Sequence, residues 1–269
     1  MTVILIILLI LVALFVFATR CRRNHNDYHK LEGFFYAHRG LHGKGIPENS
    51  MLAFQKAKEA GYGIELDVHL LSDGNLAVIH DSTLKRTTGM DGVVEDLKTE
   101  DLSQCYLENT LQTIPQFQQA LDLYNGAAPV IVELKCFRYN YAALCEAACR
   151  LLDNYNGVYC LESFDPRCIR WLRKNRPELI RGQLAENYFK SKSSPLPWYL
   201  KFLLSCQLMN FLVLPDFVSY KFEDRKHICN FLCRKVWGAH CVTWTIQKQE
   251  DFDAARKENW LPIFEGFCP

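Results

Sequence analysis

The sequence predicts an α/β fold, a (β/α)8 TIM barrel preceded by one N-terminal transmembrane helix. Three observations carry this expectation. Short β-rich stretches recur at residues 34–38, 64–69, 76–80, 130–135, 158–164, 179–184, 216–220 and 241–246, each followed by a longer segment of helical character. The chain from Leu31 to Pro269 has about the length of such a barrel and contains no low-complexity linker, long charge run or internal repeat. An apolar block fills the front of the chain.

That block, residues 1–19, holds no charged residue, and a helix rising ~1.5 Å per residue would nearly cross a hydrocarbon core of roughly 30 Å. No Lys or Arg precedes it and Phe17-Ala18-Thr19-Arg20 is a poor processing site, so an uncleaved anchor is expected rather than a signal peptide. Arg20, Arg22, Arg23 and Lys30 follow it, which places the remainder in the cytoplasm by the positive-inside rule. The expected organisation is an anchor at 1–19, a basic juxtamembrane linker at 20–30 and a single barrel domain at 31–269, on a cell membrane with its domain facing the cytoplasm.

Between the first two strands, Asn49-Ser50 followed by MLAFQKAKEAG reads as a cap, an amphipathic helix and a C-terminal glycine. Residues 145–154 and 165–175 read as further helices. A last apolar segment at 261–267 is a ninth short strand or a tail. The stretch 196–214 is apolar on most faces and reads as a buried barrel helix and loop, or as a surface element resting on a membrane with Trp198 and Tyr199 at the interface.

Composition narrows the function. With 31 Lys and Arg against 30 Asp and Glu, the net charge of +1 argues against nucleic-acid binding through a general positive field. The 12 cysteines lie in apolar or helical contexts without any CxxC, so they read as reduced core residues of a cytosolic domain. A zinc site from His227, Cys229, Cys233, His240 and Cys241 matches no common ligand spacing.

Barrel enzymes carry their chemistry at the C-terminal ends of strands. The polar residues fall there: His38-Arg39, Glu65-Leu66-Asp67, His80-Asp81 and Glu133-Leu134-Lys135. Alternate residues share a strand face, so Glu65 pairs with Asp67 and Glu133 with Lys135. Three carboxylates at one mouth repel unless a cation joins them, and carboxylates select a hard ion such as Ca²⁺ or Mg²⁺. Two histidines suit a general acid and base, while Arg39 and Lys135 suit phosphoryl oxygens or, alternatively, pair with the carboxylates. Together these point to phosphoryl chemistry.

The motifs Ala37-His38-Arg39-Gly40, Pro47-Glu48-Asn49-Ser50, Glu65-Leu66-Asp67-Val68, Asp73-Gly74, His80-Asp81 with Arg86-Thr87-Thr88-Gly89, Glu133-Leu134-Lys135, Ser163-Phe164-Asp165 and Thr243-Trp244-Thr245 resemble the ordered signature of the glycerophosphodiester phosphodiesterase family. The resemblance implies a barrel that hydrolyses glycerophosphodiesters to sn-glycerol 3-phosphate and an alcohol with a divalent metal. It implies His38 and His80 as acid and base, Glu65, Asp67 and Glu133 as metal ligands, Arg39 and Lys135 on the phosphate and Trp244 against the glycerol. Asn49 is a supporting candidate. Two departures stand out. The family often ends in Thr-Asp-Xaa-Pro where this chain has Phe264-Glu265-Gly266-Phe267, and the insert some relatives carry is expected here as a loop near 91–109. The alternatives are lysophospholipase D activity on a membrane lysolipid, and a catalytically inactive barrel serving as a binding module.

Overall fold

The computed structural model describes residues 1–23, 25–191 and 195–269. Its first element is α1 (Thr2–Ala18), 17 residues long with no side chain buried. At ~1.5 Å per residue it measures about 25 Å. Among the described residues no helix is long and apolar enough to cross a membrane. The expected transmembrane helix is therefore corrected: the helix stops at Ala18, where Thr19 turns back to bond the Val16 carbonyl at 2.8 Å.

The segment expected as a linker is packed against the barrel. Cys21, Tyr28 and Leu31 are buried, and Arg22 reaches Asp216 and, at 2.5 and 3.0 Å, the carbonyls of Pro177 and Leu179.

The strands follow as β1 (Tyr36–His38), β2 (Gly63–Leu70), β3 (Leu76–Val78), β4 (Val130–Leu134), β5 (Tyr159–Ser163), β6 (Arg181–Ala185), β7 (Phe217–Lys221), β8 (His240–Ile246) and β9 (Leu261–Phe264). Eight are parallel and close into a barrel, because β1 pairs with both β2 and β9. β3 is not a barrel strand: it folds back antiparallel on β2. The eighth barrel strand is instead the 261–267 segment, whose role the sequence left open.

The helices between them are α2 (Met51–Glu59), α3 (Lys85–Thr88), α4 (Phe117–Tyr124), α5 (Tyr141–Leu152), α6 (Pro166–Asn175), α7 (Trp198–Ser205), α8 (Asn210–Val213), α9 (Ile228–Phe231), continued as a π-turn over Leu232–Val236, and α10 (Gln249–Lys257). Two helix starts are capped as expected, whereas the helix expected at 145–154 runs from Tyr141 to Leu152 without a side-chain cap. Ser50 Oγ accepts from the Ala53 amide at 3.1 Å to start α2, and Asp165 accepts from Arg167 ahead of Pro166 to start α6. The insert near 91–109 is more than a loop: Leu84, Val94, Leu102, Cys105, Leu107 and Ile114 bury a small core of their own against β3.

Side chains facing the barrel interior form two levels. The floor is apolar: Tyr36, Ile131, Cys160, Phe217, Val242 and Ile263 pack on Tyr28 and Leu31, whose carbonyl accepts from the Tyr36 hydroxyl at 2.7 Å. Two residues further along the same strands come His38, Glu133, Glu162, Ser219 and Trp244, which makes the upper level polar. Two glycines admit the floor rings. A Cβ on Gly182 would lie 2.1 Å from the Phe217 ring, and one on Gly63 2.8 Å from Tyr36. Gly182→Ala should overpack this layer and cost about 1–3 kcal/mol in denaturant unfolding; a variant as stable as the parent would mean that the floor is looser than described.

Candidate active site

The upper level is assembled from strand ends and two strained loop residues. Arg39 and Asn49 both adopt positive φ, 54° and 53°, and the Asn49 amide bonds the Arg39 carbonyl at 2.9 Å. This turn aims Asn49 Nδ2 at Asp67 Oδ2, 2.8 Å away, and brings the Arg39 amide to 3.2 Å from Glu65 Oε2. Gly40 is required in the turn, since a Cβ there would meet Ala53 and Phe54 at 2.9 Å.

Glu65 and Asp67 on β2 face Glu133 on β4, which pairs in register with Asp67. One oxygen from each of the three lies within 4.8 Å of the others. At an effective dielectric of ~20, like charges at that separation repel by about 3 kcal/mol per pair. The consequences appear in their acidities. Burial, reinforced by Asp67 and Glu133, pushes Glu65 well above the usual carboxylate range. Burial also pushes Glu133 up to about 7, against the pull of Lys135. For Asp67 burial acts in the same sense but is outweighed by Lys135, His80 and Arg39, which hold it well below the ordinary value. Lys135 Nζ sits 2.9 Å from Asp67 Oδ1 and 2.7 Å from Glu133 Oε1.

Arg39 donates to Glu48 at 2.9 Å, while its Nε, 3.4 Å from Asp67 Oδ2, is buried without a hydrogen-bond partner among the described residues. The cations expected at the phosphate thus pair with the carboxylates here, and one buried N–H is left over. Trp244 leaves another. Its ring meets Phe164 edge to face at 5.6 Å, and its buried Nε1 has no hydrogen-bond partner among the described residues.

Each histidine is held through Nδ1 by a carboxylate. His38 Nδ1 lies 2.6 Å from Glu265 Oε2, leaving Nε2 3.9 Å from Glu65. Burial keeps His38 below the usual imidazole range, and the bond to Glu265 opposes that shift. The same bond draws Glu265 down to about 2. His80 Nδ1 lies 2.6 Å from Asp81 Oδ1, and burial lowers it to about 4. Arg86 links Asp81 to Glu48, with contacts of 2.5 Å to Asp81 and 2.6 Å to Glu48. His80 therefore does not end a barrel strand, as the sequence reading had it. It follows β3 and is set over the mouth by this ion-pair chain and by His69, which bridges Glu95 at 2.5 Å and the His80 carbonyl at 3.2 Å.

All eight site residues expected from the sequence gather at one end of the barrel. A cavity of about 70 Å³ is lined by His38, Arg39, Glu65, His80, Glu133 and Trp244, and Lys135 lines an adjoining one with His80 and Glu133. Four participants were not assigned a role from the sequence. Glu265 was noted only as a departure, although it follows the last barrel strand and so obeys the strand-end rule. Glu162 lines the same cavity; it pairs with Glu133 in register, is pushed up to about 8 by burial and then by Glu133, and has Oε2 unpartnered among the described residues. Its place on the inner face, two residues before Phe164, was the available signal. Asp81 and Arg86 stood in the motifs without an assigned role. His227, Cys229, Cys233, His240 and Cys241 are not among the ligand clusters found in the described residues, and all 12 cysteines are free thiols.

The profile of the Glycerophosphoryl diester phosphodiesterase family matches residues 38–261. The chain belongs to this family. Membership places it among the phosphoric diester hydrolases. A glycerophosphodiester phosphodiesterase of Bacillus altitudinis is 41% identical over 129 residues, covering 45% of this chain and 52% of that one. Another, of Caldanaerobacter subterraneus subsp. tengcongensis, is 28% identical over 230 residues, covering 81% and 87%. The fold is shared with an Oleispira antarctica phosphodiesterase solved in complex with the product sn-glycerol-3-phosphate, with a TM-score of 0.68, 20% identity, and coverage of 86% of this chain and 92% of that one.

Because Glu265 raises the His38 pKa, Glu265→Gln should move the His38 titration to lower pH, followed by NMR of the imidazole. An unchanged or upward-shifted titration would show that the carboxylate does not hold that ring.

Proposed function

We propose that this family member is a metal-dependent glycerophosphodiester phosphodiesterase that releases sn-glycerol 3-phosphate and an alcohol. The observation that carries the reading is the convergence of three mutually repelling carboxylates with two carboxylate-held histidines on one barrel mouth. The product bound to the Oleispira antarctica neighbour of the same fold supports it.

The donor set suits a hard divalent ion: Glu65, Asp67 and Glu133 are oxygen donors close enough to share one cation, and their excess negative charge is only partly met by Lys135 and Arg39. These three residues would hold Ca²⁺ or Mg²⁺, which would supply positive charge to the phosphoryl oxygens. His38, His42 and Glu265 also lie within reach of one ion, but Glu265 is engaged by His38 Nδ1 and the set is softer.

The chain's own groups then act as follows. The free Arg39 Nε–H is placed to donate to a phosphoryl oxygen, with Lys135 adding charge beside it. Trp244 presents an apolar face and an unused N–H, which fits the carbon skeleton and a hydroxyl of glycerol. With each Nδ1 committed to a carboxylate, the Nε2 atoms of His38 and His80 are left to exchange protons with the substrate. One accepts the proton of the glycerol hydroxyl next to the phosphate as that oxygen attacks phosphorus. The other protonates the departing alcohol as its P–O bond breaks. Water then opens the cyclic phosphate with the two roles reversed. The free, mostly buried cysteines favour a cytoplasmic setting.

Lysophospholipase D activity is the second reading, favoured by the exposed aromatic side chains Trp198, Tyr199 and Phe202 on α7, the helix that follows β6, which could receive a single-chain lipid. Both are tested by supplying the full-length protein with glycerophosphocholine, glycerophosphoethanolamine and lysophosphatidylcholine, with and without EDTA and restored Ca²⁺ or Mg²⁺. Turnover of the water-soluble diesters, abolished by EDTA, is expected; preference for the lysolipid would favour the second reading. His80→Ala should lower kcat by about 10²-fold or more while metal affinity is kept, whereas Glu65→Ala should weaken the metal itself. Turnover indifferent to EDTA and to His80→Ala would contradict the mechanism.

A further inference from the structure

The barrel has one flank that its own chain leaves uncovered. On α7, Trp198 is 74% exposed, Tyr199 51% and Phe202 42%; Phe211 on α8 and Ile228 and Phe231 on α9 are exposed beside them. These elements form one surface. Gln207 bonds Asn230 at 2.5 Å, and Asn210 contacts both Cys21 and Cys233. The exit of α1 is built into the same surface: Trp237 Nε1 donates to the Val16 carbonyl at 3.0 Å, and Phe17 meets Phe211 at 5.9 Å between ring centroids. An exposed aromatic patch is thereby continuous with a helix of 17 residues that buries none of them.

Charge is segregated to the same place. Residues 1–26, 187–215 and 225–239 hold ten of the chain's 31 Lys and Arg and none of its 30 Asp and Glu. Arg22, Lys190 and Arg225 pair with acids from elsewhere. Among the described residues Arg20, Arg23, Lys201, Lys226, Arg234 and Lys235 have no acidic partner within 4.0 Å. A patch of aromatics ringed by unpaired cations has one complement that is both apolar and negative.

We propose that the flank formed by α7, α8 and α9, together with α1, docks on an anionic lipid bilayer, with α1 and the aromatic side chains in the interface and the cations against lipid headgroups. A second copy of this chain is the poorer occupant, because a two-fold interface would set these cations against themselves. The inference does not depend on the assignment of catalytic roles.

The test uses the full-length protein with vesicles of phosphatidylcholine carrying brominated acyl chains, with or without phosphatidylglycerol. Trp198 is the exposed one of five tryptophans, so it reports on the flank rather than on the core. Flotation should be about tenfold stronger with the anionic lipid and should weaken with salt and in the double variant Lys201→Glu, Lys235→Glu. Bromine should quench a component of the emission that Trp198→Phe lacks, while turnover of a soluble diester stays unchanged. Flotation with equal quenching in parent and Trp198→Phe would overturn the proposal, because α1 alone would then be the tether. Binding indifferent to phosphatidylglycerol would overturn it, as would a lipid-free dimer that shields Trp198.

Discussion

Mutual repulsion among Glu65, Asp67 and Glu133 is the constraint around which the upper half of this barrel is arranged. Nothing in their own chemistry favours three carboxylates within 4.8 Å of one another, and burial makes their charges more costly still. The fold answers with Lys135 between two of them, Arg39 beside Asp67 and the Asn49 amide on its other oxygen. Even so the balance is incomplete, as the upward shifts of Glu65 and Glu133 record. Buried carboxylates whose charges are only partly met by Lys135 and Arg39 are prepared for a cation.

The rest of the barrel makes that arrangement affordable by separating its two levels. Tyr36 and Phe217 fill the floor over Gly63 and Gly182, and the 3-10 turn Tyr28–Leu31 closes it from below. Polar groups are thus confined to the mouth, where the two histidines can be anchored from outside the carboxylate cluster. Glu265 orients one of them, and the chain from Asp81 through Arg86 to Glu48 orients the other and ends on Arg39. Proton-handling and charge-holding groups are joined by one ion-pair network, so a change at Glu48 or Arg86 reaches both.

Much of this was legible in the sequence, and the parts that were not share a cause. Strand-end residues with period-two spacing placed Glu65, Asp67 and Glu133 correctly, because strand alternation follows from covalent geometry. The Ser50 cap and the helix start at Asp165 were legible for the same local reason. β3 was misread as a barrel strand because a short apolar run is the same whether it pairs parallel inside the barrel or folds back in a hairpin. That error displaced His80 and left β9, and with it Glu265, outside the count. The apolar block expected to span a membrane at 1–19 forms α1 over Thr2–Ala18, one residue shorter at each end, and its last turn is closed where the Thr19 hydroxyl and Trp237 Nε1 both donate to the Val16 carbonyl. Tertiary bonds of that kind, like the link between Arg22 and Asp216, have no local signature.

The claim that the carboxylate triplet is a metal centre is tested most directly by calorimetric titration of Ca²⁺ or Mg²⁺ into the metal-free, full-length protein over a range of pH. Glu133, held near 7, and Glu65, held higher than an ordinary carboxylate, must lose protons to become ligands. The account therefore predicts a single site whose affinity rises between about pH 6 and about pH 8, with proton release visible as a dependence of the heat on buffer ionisation. No binding, or binding with the same affinity across that range and no proton release, would contradict it.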